Sequence, residues 1–595
     1  MSSKRPLYTA TLALALAVVL IFGGCALKTS HPAIPAGANR DLVQHSKIFA
    51  KGVEKVSDNI HVAIGYGISN SIMIEGDDGV IIVDTMTTRE EAAEVLAEFR
   101  TISDKPVMAI IYTHSHPDHV FGADVFAQGS DPAVYAHEST EGLVKHLLTE
   151  VRPCIGTRSM RMYGNFLAPG QVHNVGIGPR VGIGPESTMG FVRPTRTFSD
   201  RLTDEVAGIR FELIHAPGET DDQIVVWLPD QKVLIPGDNF YWAFPNLYTI
   251  RGTPFRSLKN WYRSIDAMRD LPAEYLVPCH SRPIVGKERI GSILTDYRDA
   301  IQYVHDQSIR GMNMGMTPDE LAETVILPPH LASAPYLQHF YGKVSWSARS
   351  MFAGTLGWFD GDAATLQPLT RREEAILMAR LAGGEAALLD HARRLVEEQA
   401  WQAALALTGH LIRLNPELNE ARDLRIAALT ALAGFEQNPN ARHYYMTEAL
   451  EIRDRFVVHE TVKPSAASIR QFTLSGFFDS LAVNLDPEKS AAVDEKVLMV
   501  FPDAGEAFTI HVRHGVAEIR KRSLEGVNGE DFDLNVIANA DAWKEMLAKI
   551  RNPVATLAGF QYPKGNVLGF TRFMTLFTPA KHKLPVESLD SVKRR

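Results

Sequence analysis

Cysteine is scarce in this sequence. Its 595 residues include only three cysteines, Cys25, Cys154 and Cys279. A chain with so few thiols cannot rely on the disulfide framework that stabilises small secreted domains, so its fold must rest on hydrophobic cores. A single bond between Cys154 and Cys279 is the one pairing that the sequence leaves open within the body of the protein.

Long basic runs are also lacking, and the charge balance is slightly acidic. Lysine and arginine together number 61 against 70 aspartates and glutamates, which gives a formal net charge of −9 at pH 7. Proteins that bind nucleic acid through its phosphates normally carry clustered positive charge. We therefore expect no nucleic-acid partner, and an anionic substrate must be captured locally by metal ions and a few arginines.

The apolar stretch at residues 12–22 is short for a membrane-spanning helix. It follows Lys4 and Arg5 and ends in small residues before Cys25, a pattern typical of a bacterial lipoprotein signal peptide over 1–25. An uncleaved N-terminal anchor is the alternative. In both cases we expect a periplasmic protein, with an outer-membrane lipid anchor at Cys25 if that residue is lipidated.

The densest cluster of metal-binding side chains is Thr113-His114-Ser115-His116-Pro117-Asp118-His119. Apolar residues 107–112 before it predict a buried strand, so the cluster lies on a loop at the end of that strand. His114 and His116, two residues apart, can reach one ion from the same side, while Asp118 and His119 point toward a second. Four close ligands bring no packing benefit and repel when protonated, so we predict two metal ions here.

Predicted strands at 60–64, 71–75 and 80–83, a hairpin at Asp77-Asp78-Gly79 and a helix at 89–100 precede this loop. Their order before a His-x-His-x-Asp-His loop resembles the metallo-β-lactamase superfamily. The resemblance implies an α/β fold, an αββα sandwich with a binuclear site at one sheet edge. It also implies that Asp84 supports the metal loop, whereas an ordinary turn residue is the alternative.

The resemblance places further ligands where later strands end. Most members of the superfamily have a histidine after a Pro-Gly turn, but here Glu219 follows His215-Ala216-Pro217-Gly218. A carboxylate is a harder ligand than imidazole and leaves the first metal less positive. His215, Asp221 and Asp222 are alternatives to Glu219 as the ligand.

Two more apolar strands end in residues that bind metals. Asp238 follows 233–236 and can bridge two ions about 3.5 to 4 Å apart, because one carboxylate offsets part of their repulsion. His280 follows the strand at 275–278, and Cys279 beside it is interpreted as a small buried residue. The resulting assignment puts His114, His116 and Glu219 on metal one, Asp118, His119 and His280 on metal two, and Asp238 with a hydroxide between them.

The sequence looks like the zinc-dependent alkylsulfatases in three features. These are Glu219 in place of histidine, the acid Asp238 nineteen positions later, and an Asn-x-x-x-x-Arg-Gly run from Asn246 to Gly252. In that family the asparagine and arginine of the run hold the sulfate group, which implies this role for Asn246 and Arg251. A guanidinium can grip sulfate oxygens bidentately. A structural salt bridge is the alternative for Arg251.

This resemblance implies a hydrolase with two zinc ions per chain that converts alkyl sulfates, R-O-SO3⁻, to an alcohol and inorganic sulfate. Another hydrolase of the metallo-β-lactamase fold, a lactonase or a β-lactamase-like enzyme, is the alternative. Asp238 stands where well-studied primary alkylsulfatases have glutamate, so the preference for primary or secondary esters stays open. The choice between cleavage of the C–O and the S–O bond is open as well.

Residues 152–194 form a long glycine-rich segment in which Val175-Gly176-Ile177-Gly178-Pro179 is echoed by Val181-Gly182-Ile183-Gly184-Pro185. The segment has no helix or strand period. Long ordered loops commonly line binding sites, so we interpret it as a wall of the substrate channel, with a functionless insertion as the alternative. Arg161 and Tyr163 are candidate contacts within it.

Apolar residues at three-to-four spacing predict helices at 373–381, 386–399, 401–415 and 420–435. This region resembles the alkylsulfatase dimerisation domain, which implies a homodimer whose neighbour completes or shields each active site. Trp401, Leu405 and Leu411 are expected to need a surface beyond one helix pair, either the second chain or the catalytic domain. A tetratricopeptide-like scaffold is the rival interpretation, but a fixed repeat is lacking.

The C-terminal region mixes predicted strands at 496–501 and 508–514 with a helix at 540–550 and resembles a sterol-carrier-like α+β domain. Phe472, Phe477, Phe478, Met574 and Phe577 line an apolar slot for an alkyl chain in this interpretation, or an ordinary core in the alternative. The predicted layout is a signal peptide at 1–25, a tether at 26–45, a catalytic domain at 46–310, an all-α dimerisation domain at 311–460 and the sterol-carrier-like domain at 461–595.

Overall fold

The computed structural model describes residues 34, 36–148, 150–460, 463–525, 528–579, 584 and 586. The predicted signal peptide, Cys25 and residues 26–33 of the predicted tether lie outside the described residues. The described residues form two compact units, Pro32–Ser468 with residues 584 and 586, and Ile469–Ala580. No helix among them is long and apolar enough to cross a membrane.

The first sheet has seven strands in the order β1-β2-β3-β4-β5-β6-β8. With β7, which lies outside it, they are β1 (Gly52–Ser57), β2 (Ile60–Ile64), β3 (Ser71–Glu75), β4 (Val80–Val83), β5 (Val107–Ile111), β6 (Ala133–His137), β7 (Thr188–Met189) and β8 (Arg196–Phe198). The predicted strands and hairpin are confirmed, since Gly76 N donates to Gly79 O at 2.9 Å. Strands β4, β5, β6 and β8 are parallel, so their carboxyl ends meet at one edge.

The second sheet has six strands in the order β14-β13-β12-β11-β10-β9. They are β9 (Arg201–Val206), β10 (Ile209–His215), β11 (Ile224–Leu228), β12 (Val233–Ile235), β13 (Tyr275–Leu276) and β14 (Ile284–Val285). Apolar side chains of both sheets share one buried core, which includes Ile72, Ile111, Leu213 and Val226. Because β12 and β13 are parallel, the residues that follow them also meet at one edge.

Eight helices accompany the two sheets in the described residues. They are α1 (Arg40–His45), α2 (Arg89–Arg100), α3 (Pro117–Val120), α4 (Ala123–Phe126), α5 (Thr140–Leu148), α6 (Arg152–Tyr163), α7 (Leu258–Arg269) and α8 (Lys287–Asn313). Thr88 caps the predicted helix α2, which buries Val95 and Phe99. Helices α7 and α8 pack in one core with Trp227 and Leu234 of the second sheet. The predicted αββα sandwich is confirmed.

Helix α1 lies inside the predicted tether. Its Leu42 and His45 are buried, His45 Nε2 lies 2.7 Å from Gly176 O, and the His45 ring stacks on Phe340 with centroids 3.8 Å apart. The prediction of a free tether is therefore wrong for residues 40–45. The proline, glycine and alanine residues on which the tether prediction was based all precede this short helix.

Residues 152–163 form helix α6, although the sequence showed no period there. The prediction failed because the buried face of α6 carries Thr157, Arg161 and Gly156 besides methionines, so a search for apolar periodicity missed it. Arg161, a candidate contact of the substrate channel, pairs with a residue of the helical region. Its guanidinium bonds Glu451 at 2.8 and 3.0 Å, and both side chains are buried.

The glycine-rich part of this segment packs closely against other chain segments. Gly176 has φ +94°, and a Cβ there would lie 2.2 Å from Phe340 O. A Cβ on Gly178 would lie 2.2 Å from Ile68 O. Only glycine permits such backbone approaches, so the segment packs closely at these two positions. Val175 and Ile177 share a core with Tyr241 and Tyr341.

The helical region that follows contains α9 (Pro318–Thr324), α10 (Pro329–Ala332), α11 (Val344–Leu356), α12 (Arg371–Ala382), α13 (Glu385–Glu397), α14 (Trp401–Leu414), α15 (Asn419–Phe435) and α16 (Pro439–Asp454). The four predicted helices, α12 to α15, are confirmed. Leu405 and Leu411 are buried in this region's own core, against which Trp401 packs. The other helices of this region supply much of the surface beyond one helix pair that these residues were expected to need, and Phe166 and Leu167 of the predicted catalytic domain also pack against this core.

Helix α16 has no counterpart among the predicted helices. Its buried residues include Asn440, Arg442, His443, Thr447 and Glu451. Because these buried side chains are polar, the helix lacks most of the apolar periodicity by which helices were predicted. Glu451 is the partner of Arg161 on α6. Burial raises the pKa of the Glu451 carboxyl, and the positive charge of Arg161 acts in the opposite direction. The ion pair therefore forms at the cost of removing both charges from water.

Near the junction with the second unit, β15 (Lys463–Pro464) pairs with β7, and α17 (Ala466–Gln471) follows. The second unit then has the sheet order β18-β17-β16-β19-β20. Its elements are α18 (Leu474–Ala482), α19 (Pro487–Ser490), β16 (Asp494–Phe501), β17 (Glu506–Arg513), β18 (Val516–Arg522), β19 (Leu534–Ile537), α20 (Ala540–Leu547), α21 (Pro553–Ala558), β20 (Gln561–Lys564) and α22 (Val567–Met574). Phe478 is buried in its core, and Met574 and Phe577 pack against that core, as the ordinary-core alternative expects.

We expect Arg161→Met to destabilise the first unit by about 3–5 kcal/mol, because the change leaves Glu451 buried without its cation. The double variant Arg161→Met/Glu451→Leu should recover most of this loss. Chemical denaturation followed by tryptophan fluorescence measures both. Arg455→Met, which breaks the exposed pair with Glu417, is the matched control and should change stability far less. A single variant as stable as wild type would show that the pair is not needed.

Candidate metal centre

Asp84 holds the loop that follows β5. It follows β4 directly, has φ +60°, and accepts hydrogen bonds from Thr113 N and Thr113 Oγ1, both at 2.8 Å. The same carboxylate lies 2.6 Å from His119 Nδ1. The predicted supporting role of Asp84 is confirmed, because its oxygens are occupied by the loop and fix the ring orientation of a candidate ligand.

The first group of candidate ligands is His114, His116 and Asp238. His114 Nε2 lies 2.9 Å from His116 Nδ1 and 3.8 Å from Asp238 Oδ2. Burial holds the pKa of both imidazoles well below the usual value, and neighbouring cations add to this effect. Both rings are therefore neutral near pH 7, which is the form that binds a metal ion.

The second group is Asp118, His119 and His280. His119 Nε2 lies 3.3 Å from Asp118 Oδ2, and His280 Nε2 lies 3.5 Å from the same oxygen. His280 Nδ1 lies 2.8 Å from Ile68 O. The far nitrogens of both rings are thus engaged by the protein, and their Nε2 atoms face the shared space.

Asp238 lies between the two groups, as its predicted bridging role requires. One of its oxygens is 3.5 Å from His119 Nε2 and 3.2 Å from His280 Nε2, and the other faces His114. Burial lowers the pKa of His119 and His280, but the surrounding carboxylates, Asp238 among them, outweigh it and raise both values. The carboxylates therefore favour positive charge at this position.

The donor set fits metal ions. Three buried side-chain atoms of the cluster have no hydrogen-bond partner among the described residues: His119 Nε2, Asp238 Oδ1 and Glu219 Oε2. Imidazole nitrogens with carboxylate oxygens are the ligands that zinc and related dications take in hydrolases. Two such ions would satisfy these atoms and balance the buried carboxylates.

Glu219 adjoins the first group, with its Oε1 3.9 Å from His116 Nδ1. The same oxygen accepts a bond from Arg256 Nη1 at 2.8 Å, and both side chains are buried. Burial raises the pKa of Glu219 to about 7 although Arg256 lowers it. Arg256 escaped the sequence analysis because nothing in its local sequence connects it with a glutamate 37 residues earlier.

The alternatives to Glu219 are engaged elsewhere. His215 Nε2 lies 2.7 Å from Asp221 O, and its ring stacks on His137. Asp222 is buried and accepts bonds from Ser115 at 3.0 Å and from Thr140 at 2.8 Å. Asp221 itself is exposed. Glu219, by contrast, approaches His116 through Oε1, and its buried Oε2 has no hydrogen-bond partner among the described residues.

Cys279 is grouped with Asp84 and His119 by distance. Burial raises the pKa of its thiol well above the usual value, which keeps it protonated and favours the predicted structural role. Cys154 is exposed, and both cysteines are free thiols. The disulfide that the sequence left open is therefore not formed.

A pocket rich in hydrogen-bond donors adjoins His116. Arg251 Nη2 lies 3.1 Å from His116 Nε2, so this predicted residue reaches the first group. Asn246 is 1% exposed, and neither atom of its side-chain amide has a partner among the described residues. Tyr163, the other candidate from the glycine-rich segment, has its hydroxyl 3.1 Å from that of Tyr341, which sequence reasoning missed.

Comparison with known families matches three stretches of the chain. Residues 64–280 match the metallo-beta-lactamase superfamily, residues 317–455 match the alkyl sulfatase dimerisation family, and residues 463–586 match the alkyl sulfatase C-terminal family. These matches agree with the sandwich, the helical region and the C-terminal sheet described above.

Individual relatives point to the same family. A solved structure of the stereoselective inverting sec-alkylsulfatase Pisa1 from Pseudomonas sp. is 25% identical, with a TM-score of 0.84 over 96% of this chain and 90% of that one. An (R)-specific secondary-alkylsulfatase from Pseudomonas sp. is 29% identical over 80% of this chain and 73% of its own length. A linear primary-alkylsulfatase from another Pseudomonas strain is 38% identical over 75% of this chain and 88% of its own length. The chain therefore belongs to the alkylsulfatase family within the metallo-β-lactamase superfamily.

Proposed function

We propose that the protein is a binuclear zinc hydrolase that cleaves alkyl sulfate esters to an alcohol and inorganic sulfate. The observation that carries this proposal is a contact between the candidate metal ligands and the candidate sulfate-binding residues. Arg251 Nη2 lies 3.1 Å from Nε2 of the candidate ligand His116. A sulfate bound by Arg251 would therefore lie beside the metal positions. Family membership and the solved relatives support the same chemistry.

In this proposal His114, His116 and Glu219 hold one zinc, Asp118, His119 and His280 hold the other, and Asp238 joins them. Bound zinc ions supply Lewis acidity toward the ester and a water activated for attack. The protein's own part is orientation. Arg256 fixes one oxygen of Glu219, while Asp84 and Ile68 O fix His119 and His280.

Asn246 and Arg251 are proposed to hold the sulfate group. A sulfate monoester offers only acceptor oxygens, which suits a guanidinium and the amide N–H of Asn246. Tyr163 and Tyr341, whose hydroxyl oxygens lie 3.1 Å apart, add hydroxyl donors. One relative is named a linear primary-alkylsulfatase and another an (R)-specific secondary-alkylsulfatase, so both classes of substrate should be assayed.

We also propose a homodimer. Four large apolar residues of the dimerisation match are strongly exposed in the single chain: Leu356 at 57%, Trp358 at 73%, Leu381 at 75% and Phe435 at 72%. Exposed apolar side chains concentrated in one region favour a protein partner. Periplasmic export, with or without a lipid at Cys25, is a proposal that rests on residues 1–25 of the sequence.

Purified protein is expected to contain about two zinc ions per chain. His116→Ala or Asp238→Ala should lose metal and activity together, because each removes a ligand whose neighbours cannot replace it. Elemental analysis and sulfate release measure the two effects. His215→Ala, which alters a nearby histidine outside the cluster, should keep both. Full activity in metal-free wild-type protein would contradict the proposal.

Arg251→Ala should raise the KM for a long-chain alkyl sulfate roughly 10- to 100-fold, as expected for loss of a hydrogen-bonded charge at an anion. Steady-state kinetics with dodecyl sulfate and a secondary alkyl sulfate test this. Arg210→Ala, which removes an exposed arginine paired with Asp230, is the control. If wild-type protein turned over lactones faster than alkyl sulfates, the lactonase alternative would replace the proposal.

Light scattering should give about twice the chain mass for the soluble protein. The double variant Trp358→Asp/Leu381→Asp should give a single-chain mass, since it places charge on the exposed apolar region of the dimerisation match. Val516→Asp is the matched control, because Val516 is 57% exposed but lies outside that match. A wild-type monomer that is fully active at nanomolar concentration would contradict the dimer and its shielding of the site.

A further inference from the structure

The short helix α1 packs against the segment that precedes α11. His45, the last residue of α1, is 6% exposed, and its ring stacks on Phe340 with centroids 3.8 Å apart. His45 Nε2 donates to Gly176 O, 2.7 Å away, because a carbonyl oxygen can only accept. Gly176 in turn lies against Phe340 O, where a Cβ would come within 2.2 Å. His45, Gly176 and Phe340 therefore form one cluster of mutual contacts.

The backbone of Gly342, two residues after Phe340, lies against the backbone of Asn246. A Cβ on Gly342 would lie 2.0 Å from Pro245 O and 3.0 Å from Asn246 Cα. Gly342 N also donates to Phe244 O at 3.0 Å, which keeps the two chain segments together. Since a side chain has no room at this contact, the position of Gly342 limits where Asn246 can lie.

The side chain of Asn246 is the polar group in this arrangement that suits a ligand. It is 1% exposed, and neither atom of its amide has a hydrogen-bond partner among the described residues. Burying an amide without partners is costly, so the side chain is suited to a polar ligand. Its backbone, by contrast, is fixed on both sides. Asn246 N donates to the Tyr241 hydroxyl at 2.7 Å, and Arg256 donates to Asn246 O.

Segment 338–342 is held from a second direction by Asn438. The Asn438 amide donates to His339 O and to Tyr341 O, both at 2.9 Å. These bonds fix the carbonyls on either side of Phe340, whereas His45 fixes the Phe340 ring. Loss of His45 should therefore shift the segment and not release it, which predicts a modest effect on a ligand bound at Asn246.

We propose that His45 is a positioning residue of the proposed sulfate pocket. Its contacts hold Phe340 and Gly176 together, and the segment after Phe340 then keeps the Asn246 amide where it donates to a sulfate oxygen. The inference rests on the proposed function, because a sulfate monoester is the acceptor for the Asn246 N–H. It gives helix α1 a role in substrate binding, although the sequence analysis assigned residues 40–45 to a tether.

The test is a double-mutant cycle with His45→Ala, Asn246→Ala and the double variant. Binding of decyl sulfonate, an anion that lacks the scissile ester bond, is measured by calorimetry, and kcat and KM are measured for dodecyl sulfate. We expect His45→Ala to weaken sulfonate binding and to raise KM about three- to tenfold, the range for one hydrogen bond, with zinc content unchanged. Asn246→Ala should weaken binding at least as much.

Non-additivity distinguishes positioning from general destabilisation. If His45 acts through Asn246, His45→Ala should cause no further loss of sulfonate binding once Asn246 is alanine. Equal losses in both backgrounds, or a His45→Ala variant that binds like wild type, would overturn the inference. His45→Phe keeps a ring against Phe340 but cannot donate to Gly176 O. If His45→Ala does not fold, the same cycle is run with His45→Phe, and its outcomes are interpreted in the same way.

His137→Ala is the matched control. His137 is 8% exposed, its Nε2 lies 3.0 Å from Ser199 O, and its ring stacks on His215 with centroids 4.1 Å apart. The change removes the same kinds of contact outside segment 338–342, so it should leave sulfonate binding unchanged. An equal loss of binding in this control would show that the effect of His45 is not specific, and the inference would fail.

Wild-type sulfate release is measured first. Its absence would refute the proposed function itself. An active wild type whose sulfonate binding is unaffected by His45→Ala would refute only the positioning role.

Discussion

The burial of the Asp238 carboxylate among imidazoles is the constraint on which the rest of this structure depends. Asp238 is 2% exposed and lies within 4 Å of His114, His119 and His280. A buried carboxylate is costly unless positive charge accompanies it. His114 and His116 are neutral, and the carboxylates around Asp238 raise the pKa of His119 and His280, so the site favours positive charge of the kind that bound metal ions supply.

Much of the surrounding fold serves to aim these ligands. The parallel strands β4 and β5 bring Asp84 and the metal loop together, and β12 and β13 bring Asp238 beside His280. Asp84 adopts a left-handed backbone conformation, which is unusual for a residue other than glycine and is stabilised by the three bonds that its carboxylate accepts. The strained backbone at Asp84 therefore lies where its carboxylate orients the candidate ligand His119.

The side of the site that contains Arg251 is built differently, from segments far apart in the chain. Helix α6 contacts the Arg251 segment through Arg158, which donates to Ile250 O, and it is joined to α16 by the buried pair of Arg161 and Glu451. The helical region therefore contributes to the pocket through ordered contacts within one compact unit.

The sequence by itself predicted the metal loop and the strands that carry it, because apolar strands that end in ligand-type residues are local patterns. The sandwich and the further ligands were implied by the resemblance to a known superfamily, and the choice of Glu219 over His215, Asp221 and Asp222 was left open. Only the tertiary structure decided the pairing of Glu219 with Arg256, the meeting of Tyr163 with Tyr341 and the helices α6 and α16. Those features depend on contacts between residues 37 to 290 positions apart and on buried polar faces. Apolar periodicity carries no information about either, since it records which residues avoid water and not which polar partners meet.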